Sequence, residues 1–470
     1  MARDKKVESG MWKMECDLPP RFPFHKFFSS LPVSVCSFFL ILLFALTPGV
    51  RAETVTLQEG LSVITSQGYE MRMAFAREAA AARGEDVSRS RWLPQINSFV
   101  DHTWLQDQPE VVFSAGTSPI SDDSFLRYGV TVNQLITDFG QTKSSIGAAR
   151  ARARSQVFET GRTRNTVALN FITAYVSLLQ AERDLDLADL EVERFDSQVA
   201  DAKALYATGE VTLNDILIAE VALADAGLRR ITSQDKLDLA VSMLNFLMLR
   251  PLSNPTAVVN FPFRLDPIPN MEETSTRAGA NRSELKILDE RIIAKEAQLS
   301  LQEARSYPTL FVSGGYAFEE NPFRIPEGNW SATVGLTWGL YTGGARAAER
   351  KQMMDELTVL IAQREQAREL VNLEIMDTHR LLTGAVERIS VSSKAVSQAK
   401  ESLRLFKSMY AEGESSATEV TDSVTALARV EKNHWEAVFG RLKAEAQLFY
   451  AAGDDLETVY SDPRHVKTDY

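Results

Sequence analysis

Very long proline-free stretches, a repeat at constant offset and four short runs of alternating residues predict the fold class. It is mainly α with a small membrane β-barrel portion, built as two tandem structural repeats. No proline occurs between Pro119 and Pro251, or between Pro326 and Pro463. Proline inside a helix costs about 3 kcal/mol, so each gap can hold a very long helix. Tyr410-Ala-Glu-Gly413-Glu repeats Tyr206-Ala-Thr-Gly209-Glu at an offset of 204 residues. At that offset Leu382, Ala385, Ile389, Ser392, Val396, Ala399, Leu403, Phe406 and Tyr410 align with Leu178, Ala181, Leu185, Ala188, Val192, Phe195, Val199, Ala202 and Tyr206. Both sets alternate spacings of three and four, the signature of a coiled-coil seam. Ser392 is the one polar exception.

Residues 1–52 have the layout of a secretory signal. Arg3, Lys5, Lys6, Lys13, Arg21 and Lys26 precede the apolar run Val33 to Leu46, followed by Pro48, Gly49 and the small-residue end Val50-Arg51-Ala52. That run is shorter than the roughly 20 residues a membrane span needs, so cleavage after Ala52 is expected. The first repeat, residues 53–250, holds a helix at about 57–90, strands near 95–105 and 125–136, a long helix at about 141–206 and a returning helix at about 212–249. Pro251, Pro255, Pro262, Pro267 and Pro269 mark residues 251–280 as a linker. The second repeat, residues 281–455, holds helices at about 281–305, 345–410 and 417–452 and strands near 309–318 and 330–338; residues 456–470 form a tail. Each long helix spans about 100 Å at 1.5 Å per residue.

The strands carry the membrane expectation. Trp330, Ala332, Val334, Leu336 and Trp338 share one face, with Ser331, Thr333, Gly335 and Thr337 on the other. Leu310, Val312, Tyr316 and Phe318 alternate in the same way, as do Leu126, Tyr128, Val130 and Val132. The remaining strand sets His102 in the apolar register with Ile96, Val100 and Trp104. About ten alternating residues with terminal aromatics describe an outer-membrane barrel strand. Four strands cannot close a barrel, and lipid tolerates no open edge, so several chains must share one.

Composition excludes other classes. The chain is 44% hydrophobic with a net charge of -12. Losing residues 1–52 makes the charge about -15, which repels nucleic acid. Cys16 and Cys36 are its only cysteines, and its five histidines are scattered singly, so no metal site, cofactor or catalytic constellation is expected. Asp138-Phe139-Gly140 spells a kinase magnesium motif, but the companion kinase motifs are missing. Arg150, Arg152, Arg154, Arg162 and Arg164 fall on different sides of a helix and form no single stripe.

The order helix, Leu93-Pro94, strand, loop, strand, Gly turn, long helix, Tyr-x-x-Gly turn, helix, given twice, resembles the TolC-like outer membrane factors. Arg91-Trp-Leu-Pro94 and Arg305-Ser-Tyr-Pro308 precede strands; Asp138-Phe-Gly140 and Thr342-Gly-Gly344 follow them. The likeness covers about residues 57–455, although the family's proline before the Gly turn is absent in both halves. It implies a homotrimer: a twelve-stranded barrel in outer-membrane lipid, continuous with an α-helical barrel across the periplasm. Such a trimeric duct serves a tripartite efflux pump or a type I secretion system. The implied partners are a periplasmic adaptor and an inner-membrane pump or ABC exporter. The likeness carries Tyr206, Gly209, Val211, Tyr410 and Gly413 onto the adaptor-facing tips. It carries Glu419 and Asp422 onto an acidic periplasmic gate, and Tyr410 and Asp215 onto the lock that closes it. Ser415 fills the place of the lock's arginine, so a weaker lock is expected. The competing class is a non-pore periplasmic coiled-coil protein, which has no use for aromatic-flanked strands.

Overall fold

The computed structural model describes residues 53–263 and 267–461. The expected signal segment and residues 462–470 of the expected tail lie outside the described residues. In chain order the elements are β1 (Glu53–Val55), α1 (Leu57–Gln67), α2 (Tyr69–Arg89), β2 (Gln95–Trp104), β3 (Glu110–Phe113), β4 (Gly116–Pro119), β5 (Ser124–Thr137), α3 (Gln141–Thr208) and α4 (Leu213–Leu247). They continue with β6 (Thr256–Val258), α5 (Met271–Asn281), α6 (Ser283–Ala304), β7 (Thr309–Glu319), β8 (Gly328–Thr337), α7 (Ala345–Ala411), α8 (Ala417–Ala452) and α9 (Leu456–Ser461).

Helices α3 and α7 run unbroken for 68 and 67 residues. Each ends one turn of chain before its partner begins. Gly209 (φ 81°) and Gly413 (φ 75°) take the left-handed conformation that reverses the chain there, at little cost without a Cβ. The returning helices are started by matching capping boxes. Thr212 N–H donates to Asp215 Oδ2 (2.8 Å), and Ser416 N–H donates to Glu419 Oε2 (2.8 Å). The seam positions expected in α7 are buried or half-buried throughout, and Ser392 finds a partner in His434 Nδ1 at 3.0 Å.

Five segments differ from expectation. The opening helix is two helices, because Gly68 (φ -53°, ψ 149°) leaves the helical region between α1 and α2. Residues 251–280, read as a linker, contain β6 and α5. Strand β6 pairs in parallel with β1 from Glu53↔Thr256 to Val55↔Val258. The Asn245 side chain secures this return by donating to Asn254 O (2.8 Å) and accepting from Thr256 Oγ1 (2.7 Å). The segment read as tail opens with α9, whose Leu456 and Tyr460 are buried. The loop between the first two membrane strands folds its own hairpin, β3 with β4. Trp338 lies one residue beyond β8.

Around the middle of α3 lies the main core, where Phe171, Ile172, Tyr175 and Leu178 are fully buried beside Leu61, Leu244 and Leu442. The Tyr175 hydroxyl lies 2.9 Å from Val55 O, 2.7 Å from Val259 O and 2.8 Å from Val259 N, tying β1 and the end of β6 to α3. Burial pushes that hydroxyl's pKa far above the ordinary tyrosine value.

The long strands form one antiparallel sheet in the order β2-β5-β7-β8. The join between repeats is therefore β5 with β7, and β2 and β8 are edges. A register shift between Leu135 and Thr137 bends β5 as it meets α3.

Candidate channel surfaces and tips

Directly opposed residues of an antiparallel pair point to the same side. The pairs Val100↔Tyr128, Tyr128↔Phe318, Tyr316↔Trp330 and Val312↔Val334 therefore place one apolar face across all four strands. Leu126, Val130, Val132, Leu310 and Leu336 belong to it by the same register. This face is bare: Val100 is 73% exposed, Trp330 78% and Val334 75%. Leaving it in water would forfeit about 25 cal/mol for every Å² of apolar surface. His102, out of character here, lies with its ring centroid 4.2 Å from that of Trp104.

The opposite face is polar but not empty. Arg127 spans to Asp101 with Nε–Oδ1 at 3.0 Å and Nη2–Oδ2 at 3.1 Å. Phe99 lies over Gly129 and Phe311 over Gly335, each ring occupying the space a Cβ would take. These covered glycines were not anticipated. The signal for them was a glycine on the polar face of a strand whose neighbour carries a phenylalanine on the same face.

At the far end of the hairpins the two repeats diverge. Tyr410 is 5% exposed, packed with Ala417 and Val420 and against Leu205, Val211 and Phe406. Its counterpart Tyr206 is 47% exposed. The Tyr410 hydroxyl has no hydrogen-bond partner among the described residues. Burial, followed by the charges of Asp215 and Asp201, raises its pKa. Asp215 is committed to its own helix start, as is Glu419, so Tyr410 and Asp215 are not hydrogen-bonded here. Ser415 Oγ donates to Glu419 Oε2 (3.0 Å) instead of reaching the other hairpin. Bonds from the Ser416 backbone, the Ser415 hydroxyl and the Ser416 hydroxyl lower the Glu419 pKa. Asp422, on the next turn of α8, is exposed.

The polar contacts that join the hairpins lie deeper and were not read from sequence. Arg194 of α3 grips Glu431 of α8 through two bonds, 2.8 and 3.2 Å. Lys400 of α7 approaches the same carboxylate at 3.7 Å. One turn nearer the tip, Gln198 Nε2 donates to Thr421 Oγ1 (2.9 Å) and Ala417 O (3.2 Å).

The discounted motifs resolve locally. The Asp138 carboxylate accepts from Gly140 N (3.2 Å), Thr142 N (2.7 Å) and the Thr142 hydroxyl, capping α3. Arg150, Arg154 and Arg162 pair with Glu85, Glu290 and Glu159. No described helix is long and apolar enough to cross a membrane.

Paired helical hairpins carried on a shared sheet with one bare apolar face are the architecture over which this chain is similar to known proteins. Residues 62–248 and 275–454 match the family described as outer membrane efflux protein, and the chain belongs to that family. The outer membrane protein TolC of Vibrio cholerae is 23% identical over 434 residues, covering 84% of this chain and 91% of its own. The protease secretion protein PrtF of Dickeya chrysanthemi is 23% identical over 322 residues, covering 67% and 68%. Among solved structures, CusC superposes with a TM-score of 0.73 at 16% identity, covering 85% of this chain and 92% of its own. VceC from Vibrio cholerae gives 0.72 at 16% identity, covering 85% and 96%. The TolC-like fold with two repeats and the outer-membrane location, both expected from sequence, stand on these matches.

Proposed function

We propose that three copies close their sheets into one twelve-stranded barrel above a helical duct, through which substrates leave the cell passively. One observation carries this reading: a four-stranded sheet with two unpaired edges and a bare apolar face. Lipid covers the face, and the neighbouring copies supply the strands that β2 and β8 lack. A periplasmic coiled coil without a pore gives that face no use. In this reading an inner-membrane pump or ABC exporter delivers substrate through a periplasmic adaptor. The adaptor docks at the tips around Tyr206, Gly209, Val211 and Gly413. The family's description supports efflux as a route for cargo, and the name of the protease secretion relative supports protein secretion.

Glu419 and Asp422 then ring the periplasmic entrance, six carboxylates from three copies, with Tyr410 and Asp215 beside them. Clustered carboxylates in a narrow pore attract cations. Because Glu419 also caps α8, the informative variant is Glu419→Gln with Asp422→Asn: glutamine keeps the capping box and removes the charge. In planar bilayers the wild-type channel should be cation-selective and blocked from the periplasmic side by hexamminecobalt in the micromolar range, about -8 kcal/mol. The double variant should conduct without block. Equal block of both would remove these residues from the gate. Cysteine at Val211 should crosslink an adaptor; crosslinks formed only from the strand end would reverse the orientation.

A further inference from the structure

Between the tips and the main core, hairpin α3–α4 meets hairpin α7–α8 chiefly through α3 against α8. That join is fastened in layers. Nearest the tip, Tyr410, Ala417 and Val420 pack on Leu205. Next, the Gln198 amide donates to Thr421 Oγ1 and Ala417 O. Phe195 then packs with Ala226, Leu403, Val424 and Leu427, one cluster drawn from all four helices. Deepest is the two-bond grip of Arg194 on Glu431, whose carboxylate also draws Lys400. Glu431 and Gln198 are buried. Parting such a pair leaves a charge without its partner and away from water, so this join resists separation.

The chain carries its own comparison. In a ring of copies, α7 of one molecule would stand beside α4 of the next, and the 204-residue offset takes α3 to α7 and α8 to α4. Under that exchange Arg194 and Glu431 become Gln398 and Gly227, while Gln198 and Thr421 become Ser402 and Leu217. Gln398 and Gly227 can form no ion pair, and nothing lies within 4 Å of where a Gly227 Cβ would stand. Leu213 and Leu217, the counterparts of Ala417 and Thr421, are 55% and 52% exposed, an apolar strip open to a second copy.

We infer that the two hairpins of one chain move as a single body, held by Arg194 and Glu431, and that the periplasmic entrance opens along the seams between copies, where α4 meets the neighbour's α7. The occupant of the α4 strip is thus a second copy of this chain. Apolar contacts there can slide or part without stranding a charge, which the join inside the chain cannot do. Opening is then a rigid-body rotation about an interface. The tip fits this division. The Tyr410 hydroxyl has no hydrogen-bond partner among the described residues, and Ser415 donates to Glu419 on its own hairpin, so the polar bonds between hairpins are those deeper in the join.

The inference rests on the trimeric duct proposed above, and the test keeps the two apart. The full-length protein, exported and purified from membranes, carries either Gln198→Cys with Thr421→Cys or Leu217→Cys with Ser402→Cys. Each is treated with a reversible bis-methanethiosulfonate linker and recorded in planar bilayers. On gels run without reductant, the first pair should link within one chain and the second should join copies. Linking 198 to 421 should leave channel openings as in wild type. Linking 217 to 402 should abolish them until dithiothreitol is added. Arg194→Ala should raise the resting current, and the 198–421 linker in that background should return it to the wild-type level. Loss of openings on linking 198 to 421, full opening with 217 linked to 402, or a 217–402 pair that joins no copies overturns the inference. So does a resting current in Arg194→Ala equal to wild type. Wild-type protein that passes no current sinks the duct, and the inference with it; a conducting wild type with openings lost through the 198–421 link sinks the inference alone.

Discussion

Arginine placed at Val334 and at Thr333 tests the assignment of the two sheet faces with neighbours that differ only in direction. Val334 stands mid-strand on β8, opposite Val312, and is 75% exposed on the apolar face. Thr333 is opposite Ser313, on the face that carries the Asp101–Arg127 pair. A lipid-facing arginine at the bilayer midplane costs about 2–4 kcal/mol. Three copies in the proposed barrel would multiply this to about 6–12 kcal/mol, similar to the whole stability of a typical domain. Val334→Arg should therefore deplete assembled protein in outer-membrane fractions severely. Thr333→Arg, facing water, should cost less than about 1 kcal/mol and assemble nearly normally. The assay is quantitative blotting of unheated and heated membrane extracts, with total expression as the denominator. Equal loss from both variants would refute the alternation, and greater loss from Thr333→Arg would show the faces reversed.

Arg194→Ala should destabilise the hairpin pairing by about 3 kcal/mol, because it leaves Glu431, whose side chain is 9% exposed, with Lys400 as its remaining cation among the described residues. Arg194→Met combined with Glu431→Leu should recover most of that in urea unfolding, and no recovery would mean the pair is not an energetic unit. Asp184 gives a pH signature: burial, opposed by Lys432, holds its carboxyl pKa above the ordinary value, and its Oδ1 has no hydrogen-bond partner among the described residues. A raised folded pKa stabilises below the unfolded value and loses that contribution as pH rises through the folded one. Asp184→Asn should thus melt higher than wild type at pH 7, with the difference vanishing near about pH 4; a pH-independent difference would contradict this.

What could be read from sequence follows from which signals are periodic. Strand faces repeat every two residues and seams every three or four, so the shared face of Val334 and Leu336 and the burial of Leu382 and Leu403 were legible. The ends of α3 and α7 were legible because Gly209 and Gly413 punctuate them. Single-residue events were not: Gly68 interrupts a helix without altering its apolar pattern, and hairpin β3–β4 hides in a loop of turn residues. Ser416-Ala-Thr-Glu419 spells a capping box, a local role for Glu419 that is separate from the charge the likeness assigns to a gate. The Arg194–Glu431 contact joins residues 237 positions apart and leaves no local trace.

The order β2-β5-β7-β8 also makes the proposed assembly quasi-equivalent. Strand β5 is the second long strand of the first repeat and β7 the first of the second, so the β5–β7 pairing is a covalently tethered copy of the join that β8 would make with β2 of the next molecule. Six near-identical seams would encircle the barrel, three within chains and three between them. Transferring the internal register through the aligned Pro94 and Pro308 and the 204-residue offset, Val132↔Gly314 becomes Leu336 opposite Val100 of the neighbour, and Tyr128↔Phe318 becomes Ala332 opposite Trp104. The small residue would then receive the large one. Cysteines at 336 and 100 should form an intermolecular disulfide, whereas cysteines at 336 and 101 should not. A crosslink from 101 alone would mean that the seam between molecules has departed from the one the chain carries inside itself.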